Sequence, residues 1–277
     1  MLLYKNTFEN TKTSNIDFPI EDQYYANDNE GIVADGITRD PVGIANLASE
    51  SYDDILKNYP RPSGAEMAAK EICNSFSNSL CPVLERFSKC NEAVKKLNDK
   101  YILKCDYLEN DYYGAVASCG IIDNNYLYYA FICDCGVIVY NKNGQIKFQT
   151  EDEKKLYSDP YINTIGIPWN LPESRRIVRS EYRNNHDKIV DNKCVSYGAL
   201  TGEENAIKFI RTGKVSLEKD DIVVIYTNGF TNFLHLDDFI KLIINFDKYK
   251  FEEYVNNKSL TDYEKFGKDK TLIIMKK

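Results

Sequence analysis

Gln23-Tyr24-Tyr25-Ala26, Asn27-Asp28-Asn29-Glu30-Gly31 and Ile32-Val33-Ala34, ending at Asp35-Gly36, form one continuous stretch of apolar run, polar turn and apolar run. The two runs read as a strand hairpin, because aromatic and β-branched residues suit a pleated backbone and an Asn/Asp/Gly turn reverses it. A carboxylate therefore stands just past the second strand, and Glu21-Asp22 stand just before the first. The placement recurs along the chain: Asp134 follows the apolar run Tyr128 to Cys133, Asp269 precedes the run Thr271 to Met275, and the strand ending at Thr227 is followed by Asn228. Strand ends of stacked sheets can converge at one mouth of a sandwich, where gathered carboxylates repel one another unless cations neutralise them. Hard oxygen donors with no nearby His favour magnesium or manganese over zinc.

Outward from the hairpin, Ser63 followed by Glu66 offers a capping box for a helix, and Ala65, Ala68, Ala69, Ile72 and Phe76 recur at helical spacing. A second helix is expected from about Val83 to Leu97, after a loop holding Pro41, Pro60 and Pro62. From Gly114 the pattern turns to strands: Ala115 to Ile122, Tyr126 to Cys133, Val137 to Tyr140 and Gln145 to Gln149, read as a β-meander. The stretch 151–201 is polar and irregular, with one helix expected near Glu173 to Arg183, and reads as an inserted surface region. A strand at Asp221 to Thr227, an amphipathic helix near Asp237 to Phe246 and the final strand complete the pattern. Paired strands with helices inserted in blocks predict an α+β fold, an antiparallel β-sandwich flanked by helices on both sides, built as one unit from residues 1–277. A doubly wound parallel fold fits poorly, since regular strand-helix alternation and a glycine-rich phosphate loop are missing.

A hydrophobic share of 43% and an aromatic share of 13% supply ample core, and disorder is not expected. The net charge of -7 argues against a nucleic-acid surface, which needs clustered cations. The tightest basic cluster, Arg175, Arg176, Arg179 and Arg183, reads as a solvated helix face or a docking patch. Neither an export signal nor a membrane span is evident, so a cytoplasmic protein is expected and its 8 Cys read as reduced, buried thiols. Cys119, Cys133 and Cys135 do not follow a zinc spacing.

Taken in order, Glu21-Asp22, Val33-Ala34-Asp35-Gly36, the strand pair from Gly114 to Cys133-Asp134-Cys135, Thr227-Asn228-Gly229-Phe230-Thr231-Asn232 and Gly267-Lys268-Asp269-Lys270-Thr271 resemble the motif series of the type 2C (PPM) serine/threonine phosphatases. The resemblance spans nearly the whole chain. It implies the same β-sandwich and the hydrolysis of phosphoserine, phosphothreonine or related phosphate monoesters, in a phosphoprotein or a small ester. Hydroxide bridging two manganese or magnesium ions about 3.5–4 Å apart would attack phosphorus directly. The implied metal set is Glu21, Asp22, Asp35, Gly36, Asp134, Asn228 and Asp269. Asp35 would bridge both ions and be the catalytic residue, Gly36 would offer its carbonyl, Glu21 and Asp269 would each serve one ion, and Asp22 would support them. Asp134 corresponds to a position helping to hold a weaker third ion.

The departures are specific. Asn228 and Asn232 stand where the family has aspartates, Cys133 and Cys135 where it has Gly and Ser, and Lys270 where it has Asn. An amide oxygen still coordinates a hard cation but adds no charge, so metal affinity should fall, while Lys270 brings its own charge near the ions. The family's basic phosphate clamp before Glu-Asp is replaced by Asp17, Phe18 and Pro19. Arg39 is the candidate substitute, with pairing to Asp40 as its ordinary alternative. The competing functional reading is a weakened pseudophosphatase kept as a binding or regulatory module. An N-terminal-nucleophile hydrolase lacks a nucleophile in Met1-Leu2-Leu3, and a cysteine phosphatase lacks a phosphate-cradling Cys loop.

Overall fold

The computed structural model describes residues 1–11, 20–39, 59–168 and 171–277, so the expectations for Asp17, Phe18, Pro19, Asp40 and Pro41 fall outside the described residues. Two five-stranded sheets carry the fold. One has the order β1 (Leu2–Phe8), β12 (Lys270–Lys276), β11 (Ile222–Tyr226), β6 (Gly136–Tyr140), β7 (Ile146–Gln149). The other runs β10 (Arg211–Ser216), β5 (Tyr126–Phe131), β4 (Ala115–Asp123), β3 (Glu30–Gly36), β2 (Gln23–Ala26). Every pairing in both sheets is antiparallel.

Three apolar layers follow from strand alternation. Val33, Leu127, Val137, Val139, Val223, Ile225 and Ile273 fill the space between the sheets. Residues on the opposite face of the second sheet, Ile32, Ala34, Ala117 and Cys119, pack against α1 (Gly64–Ser77) and α2 (Val83–Tyr101) through Ala68, Ala69, Ile72, Phe76 and Phe87. The outer face of the first sheet, with Tyr4, Phe8, Val224 and Leu272, meets Phe230, Phe233, Phe239, Phe251 and Val255, the last three on α3 (Asp237–Ile244) and α4 (Lys248–Thr261). The result is the expected helix, sheet, sheet, helix sandwich. Each fully buried large apolar side chain in these layers contributes about 1.5–3 kcal/mol over leaving it in water.

Ser63 begins α1 as expected: its Oγ accepts the Glu66 N–H at 3.0 Å. The meander expected from Gly114 onward is corrected in one respect. β4 and β5 pair in one sheet, but β6 and β7 belong to the other, so the chain crosses the sandwich at Ile132–Cys135. Cys133 makes the turn in the left-handed region, at φ 68°, a conformation that costs a side-chain-bearing residue about 1 kcal/mol and suits glycine. The family that the sequence resembles has Gly at that position.

Within 151–201 the backbone makes helical turns at Lys154–Ser158, Asp159–Ile162, Pro172–Ile177 and Val178–Tyr182, then a two-strand ribbon of β8 (Ile189–Val190) and β9 (Lys193–Cys194). The expected solvated arginine face is half right. Arg176 is exposed, but Arg179 and Arg183 are buried. Arg183 grips both carboxylate oxygens of Asp111 at 2.8 and 2.7 Å, and Arg179 adds a contact at 3.5 Å. All eight cysteines are unpaired. No helix among the described residues is long and apolar enough to cross a membrane.

Candidate active site

Strand register gathers the acidic residues at one end of the sandwich. Gln23 pairs with Ala34, so Asp22 and Asp35 extend from neighbouring strand ends. Tyr226 pairs with both Gly136 and Leu272, which brings Asp134, Asn228 and Asp269 alongside. The link is tight: the Thr227 amide donates to the Thr271 carbonyl at 3.0 Å, and the Thr271 amide donates to Thr227 Oγ1 at 2.9 Å. Thr227 Oγ1 in turn donates to Asp22 Oδ2 at 2.7 Å. One threonine thus holds the strand carrying Asn228, the strand preceded by Asp269, and the Asp22 carboxylate in a single chain of bonds.

Asp35 is the centre of the group. Burial, then the charges of Asp22, Asp134 and Asp269, drive its carboxyl well above the ordinary range. Asp22 is raised by burial and by Asp269, and it shares a hydrogen bond with Asp35. Two carboxyl groups this close repel when both are ionised, so the pair favours a proton or a cation between them. Asp269 is raised as well, chiefly by burial, against the pull of Lys270. Asp134 Oδ2 accepts from Asn228 Nδ2 at 3.2 Å and lies 3.5 Å from Lys154 Nζ.

Glu21 stands apart in its bonding. Its Oε1 accepts from the Tyr59 hydroxyl at 2.6 Å and from Ser63 Oγ, and its Oε2 accepts from Thr38 Oγ1 at 2.5 Å. Burial raises its proton affinity and the three hydroxyls oppose that. To serve an ion it must exchange at least one hydroxyl. Gly36 lies against it: a Cβ there would stand 2.9 Å from the Glu21 carbonyl oxygen and from the Ala65 backbone, so the close approach requires glycine.

Arg39 is placed elsewhere. Its guanidinium lies over the Tyr113 ring at 4.5 Å and donates to the Glu109 carbonyl at 2.8 Å, with Nε buried and unbonded. It does not line the cavity at the acidic cluster, a space of about 530 Å³ whose walls include Asp35, Gly36, Asp134, Lys154 and Asn228. A larger groove of about 880 Å³ runs along α1 past Lys70 and Glu71 and holds none of the acidic site residues. Asn232 also points away, its Nδ2 donating to the Lys265 carbonyl at 2.8 Å.

Lys270 is fully buried beside Asp269 and Asp22, with Nζ 3.2 Å from Ser259 Oγ. Burial pulls its ammonium down to about 8, against the two carboxylates. Burial also pushes the thiols of Cys133 and Cys135 well up, so neither is a thiolate nucleophile.

The group fits a pair of hard divalent cations in kind. Its donors are oxygens, and the raised proton affinities of Asp22, Asp35 and Asp269 show that its negative charge is under-compensated. Among the described residues no three of His, Cys, Asp or Glu stand in ligating geometry.

The architecture has solved counterparts. The Mycobacterium tuberculosis serine/threonine phosphatase PstP/Ppp superposes with a TM-score of 0.56 at 14% identity, covering 99% of this chain and 98% of that one. The PstP catalytic domain in complex with 2 manganese ions gives 0.57 at 12% identity, over 98% and 95% of the two chains. PppA, a regulatory component of the Pseudomonas aeruginosa T6SS, gives 0.56 at 11%, over 100% and 99%. This is the type 2C phosphatase fold. Neither a family model nor a curated protein matches the sequence itself. The likeness to type 2C structures therefore rests on backbone architecture, with the site residues argued from this chain alone.

The sequence did not point to Thr227, Thr38, Tyr59, Ser63 as a Glu21 partner, or Lys154. Thr227 stands next to Asn228 and Thr271 two residues after Asp269, and that proximity was a usable signal. The others had none, because their partners lie 17 to 42 residues away for Glu21 and 20 residues away for Lys154.

Proposed function

We propose that the chain is a metal-dependent phosphatase hydrolysing phosphate monoesters, phosphoserine and phosphothreonine among them. The observation that carries the reading is the cluster of the buried Asp22 with the half-buried Asp35, Asp134 and Asp269, in which Asp35 faces the repulsion of the other three at the wall of an open cavity. When bound, two manganese or magnesium ions supply a nucleophile at neutral pH and neutralise the phosphoryl oxygens. Asp35 and the Gly36 carbonyl would serve both ions, Asp269 and Glu21 one each, and Asp22, itself held by Thr227, would support them. Asp134 and Asn228 would form the weaker position. PstP, solved with two manganese ions, supports the choice of metal through its shared fold. Residues 1–277 act as one unit, with 151–201 as the inserted segment. The unpaired thiols support a cytoplasmic setting.

Hydrolysis of an aryl phosphate tests the reading with manganese, with chelator and with Asp35→Asn. Turnover should require manganese, and the substitution should reduce it to the chelator level. Metal-free inertness that persists with manganese, in a folded protein, selects the regulatory module instead.

A further inference from the structure

The phosphatase reading leaves the phosphate, beyond the ions, without an assigned basic side chain among the described residues. Its expected clamp, Arg39, is held over Tyr113 and on Glu109. Arg179 reaches the cavity wall, but it is buried and donates to the Tyr107 carbonyl at 3.2 Å while facing Asp111. Both guanidiniums are committed to the segment joining α2 to β4.

Lys154 differs. It lines the same cavity as Asp35, Gly36 and Asn228. Its backbone position is fixed from the residue before: the Glu153 amide donates to the Cys133 carbonyl at 3.2 Å, and Glu153 Oε1 accepts from Arg211 Nε at 2.6 Å. The inserted segment is therefore pinned at the crossing turn beside Asp134, and the next side chain enters the cavity. Among the described residues the ion-pair partner of Lys154 is Asp134, at 3.5 Å, too long for a strong hydrogen bond. The side chain retains 45% of its exposure, so its three N–H donors remain accessible to a ligand. Asn228 meanwhile donates to the same Asp134 oxygen, so Asp134 is partly satisfied without an ion.

We propose that Lys154 binds the phosphoryl oxygens of the substrate, an ammonium delivered by the inserted segment to a site whose arginines are engaged elsewhere. A dianionic phosphate monoester is the ligand class, and Asp134 is the counter-charge that holds the lysine ready before substrate arrives. This rests on the phosphatase reading, but it can fail separately.

Inorganic phosphate is the probe, its binding to the full chain measured by calorimetry with manganese present. Lys154→Ala should weaken binding about tenfold or more, the size of one charge-assisted hydrogen bond, and Lys154→Arg should restore most of it. Lys155→Ala, in the same helical turn but outside the cavity lining, should leave it unchanged. Unfolding midpoints of the three variants report whether each folds. Phosphate binding as tight in Lys154→Ala as in the parent, equal weakening by Lys155→Ala, or no phosphate binding by the parent overturns the assignment. Should manganese-dependent hydrolysis persist while phosphate binding ignores Lys154, the lysine role falls and the phosphatase stands. Should hydrolysis be absent while binding depends on Lys154, an anion site stands and the phosphatase falls.

Discussion

Lys270 occupies a position at which the resembling family carries Asn, and the substitution changes the electrostatics of the whole cluster. Its ammonium is buried against Asp269 and Asp22, where it offsets part of the negative charge that a divalent cation would otherwise experience. Lys270→Asn should therefore tighten manganese binding, on the order of tenfold for one unit charge a few ångströms away in a partly screened medium. Calorimetric titration at pH 7, where the lysine is charged, checks this; equal or weaker affinity would show that the ammonium does not act on the ions. Asn228 works in the opposite direction to an acid, donating to Asp134 in place of ligating with charge. Both residues were visible as departures in the sequence, yet neither burial nor hydrogen-bond direction was legible there, because both depend on neighbours brought in by other strands.

At the scale of elements, the segment holding Arg179 and Arg183 is tied down by a buried charge cluster. Asp111, between α2 and β4, lies fully buried under Arg183, with Arg179 beside it. Burial alone would push its carboxyl up, but the Arg183 guanidinium holds it below the usual range. Asp111→Ala removes the carboxylate that both buried guanidiniums face, leaving Arg183 the longer contact to Glu203 at 3.4 Å, and should cost about 3–5 kcal/mol in denaturant unfolding. Adding Arg183→Met should recover part of that loss; a loss under about 1 kcal/mol would place the pair among weak surface contacts. Elements also show where sequence patterns run out. α4 was not anticipated, since its inward residues are only Phe251, Val255 and Ser259 and its exposed face mixes polar residues with Tyr249 and Leu260, which blurs the apolar stripe. β10 was missed because it is a largely exposed edge strand with little apolar alternation, and β1 because its partner, β12, lies at the other end of the chain.

For the molecule as a whole, the acidic cluster sets a pH dependence of stability. Glu21, Asp22, Asp35 and Asp269 all bind protons more tightly when folded than ordinary carboxyls do. Their contribution is fully present below about pH 4, the unfolded value. It is lost as pH rises through the folded values, with Asp22 pushed up to about 8. In chelator, the thermal midpoint should fall between pH 5 and pH 8, and manganese should restore it most at pH 8, where protons compete least. A midpoint in chelator that rises over this interval would contradict the cluster.

The sequence by itself determined the strands around Asp35, the capped first helix and the placement of carboxylates at strand ends, because side-chain alternation, turn chemistry and capping act over a few residues. Tertiary structure alone decided that the chain changes sheets at Cys133, that Arg179 and Arg183 turn inward, that Arg39 leaves the cavity and that Lys154 enters it. Each of those outcomes depends on which distant backbone or opposite charge lies within a few ångströms, and local pattern carries no record of that.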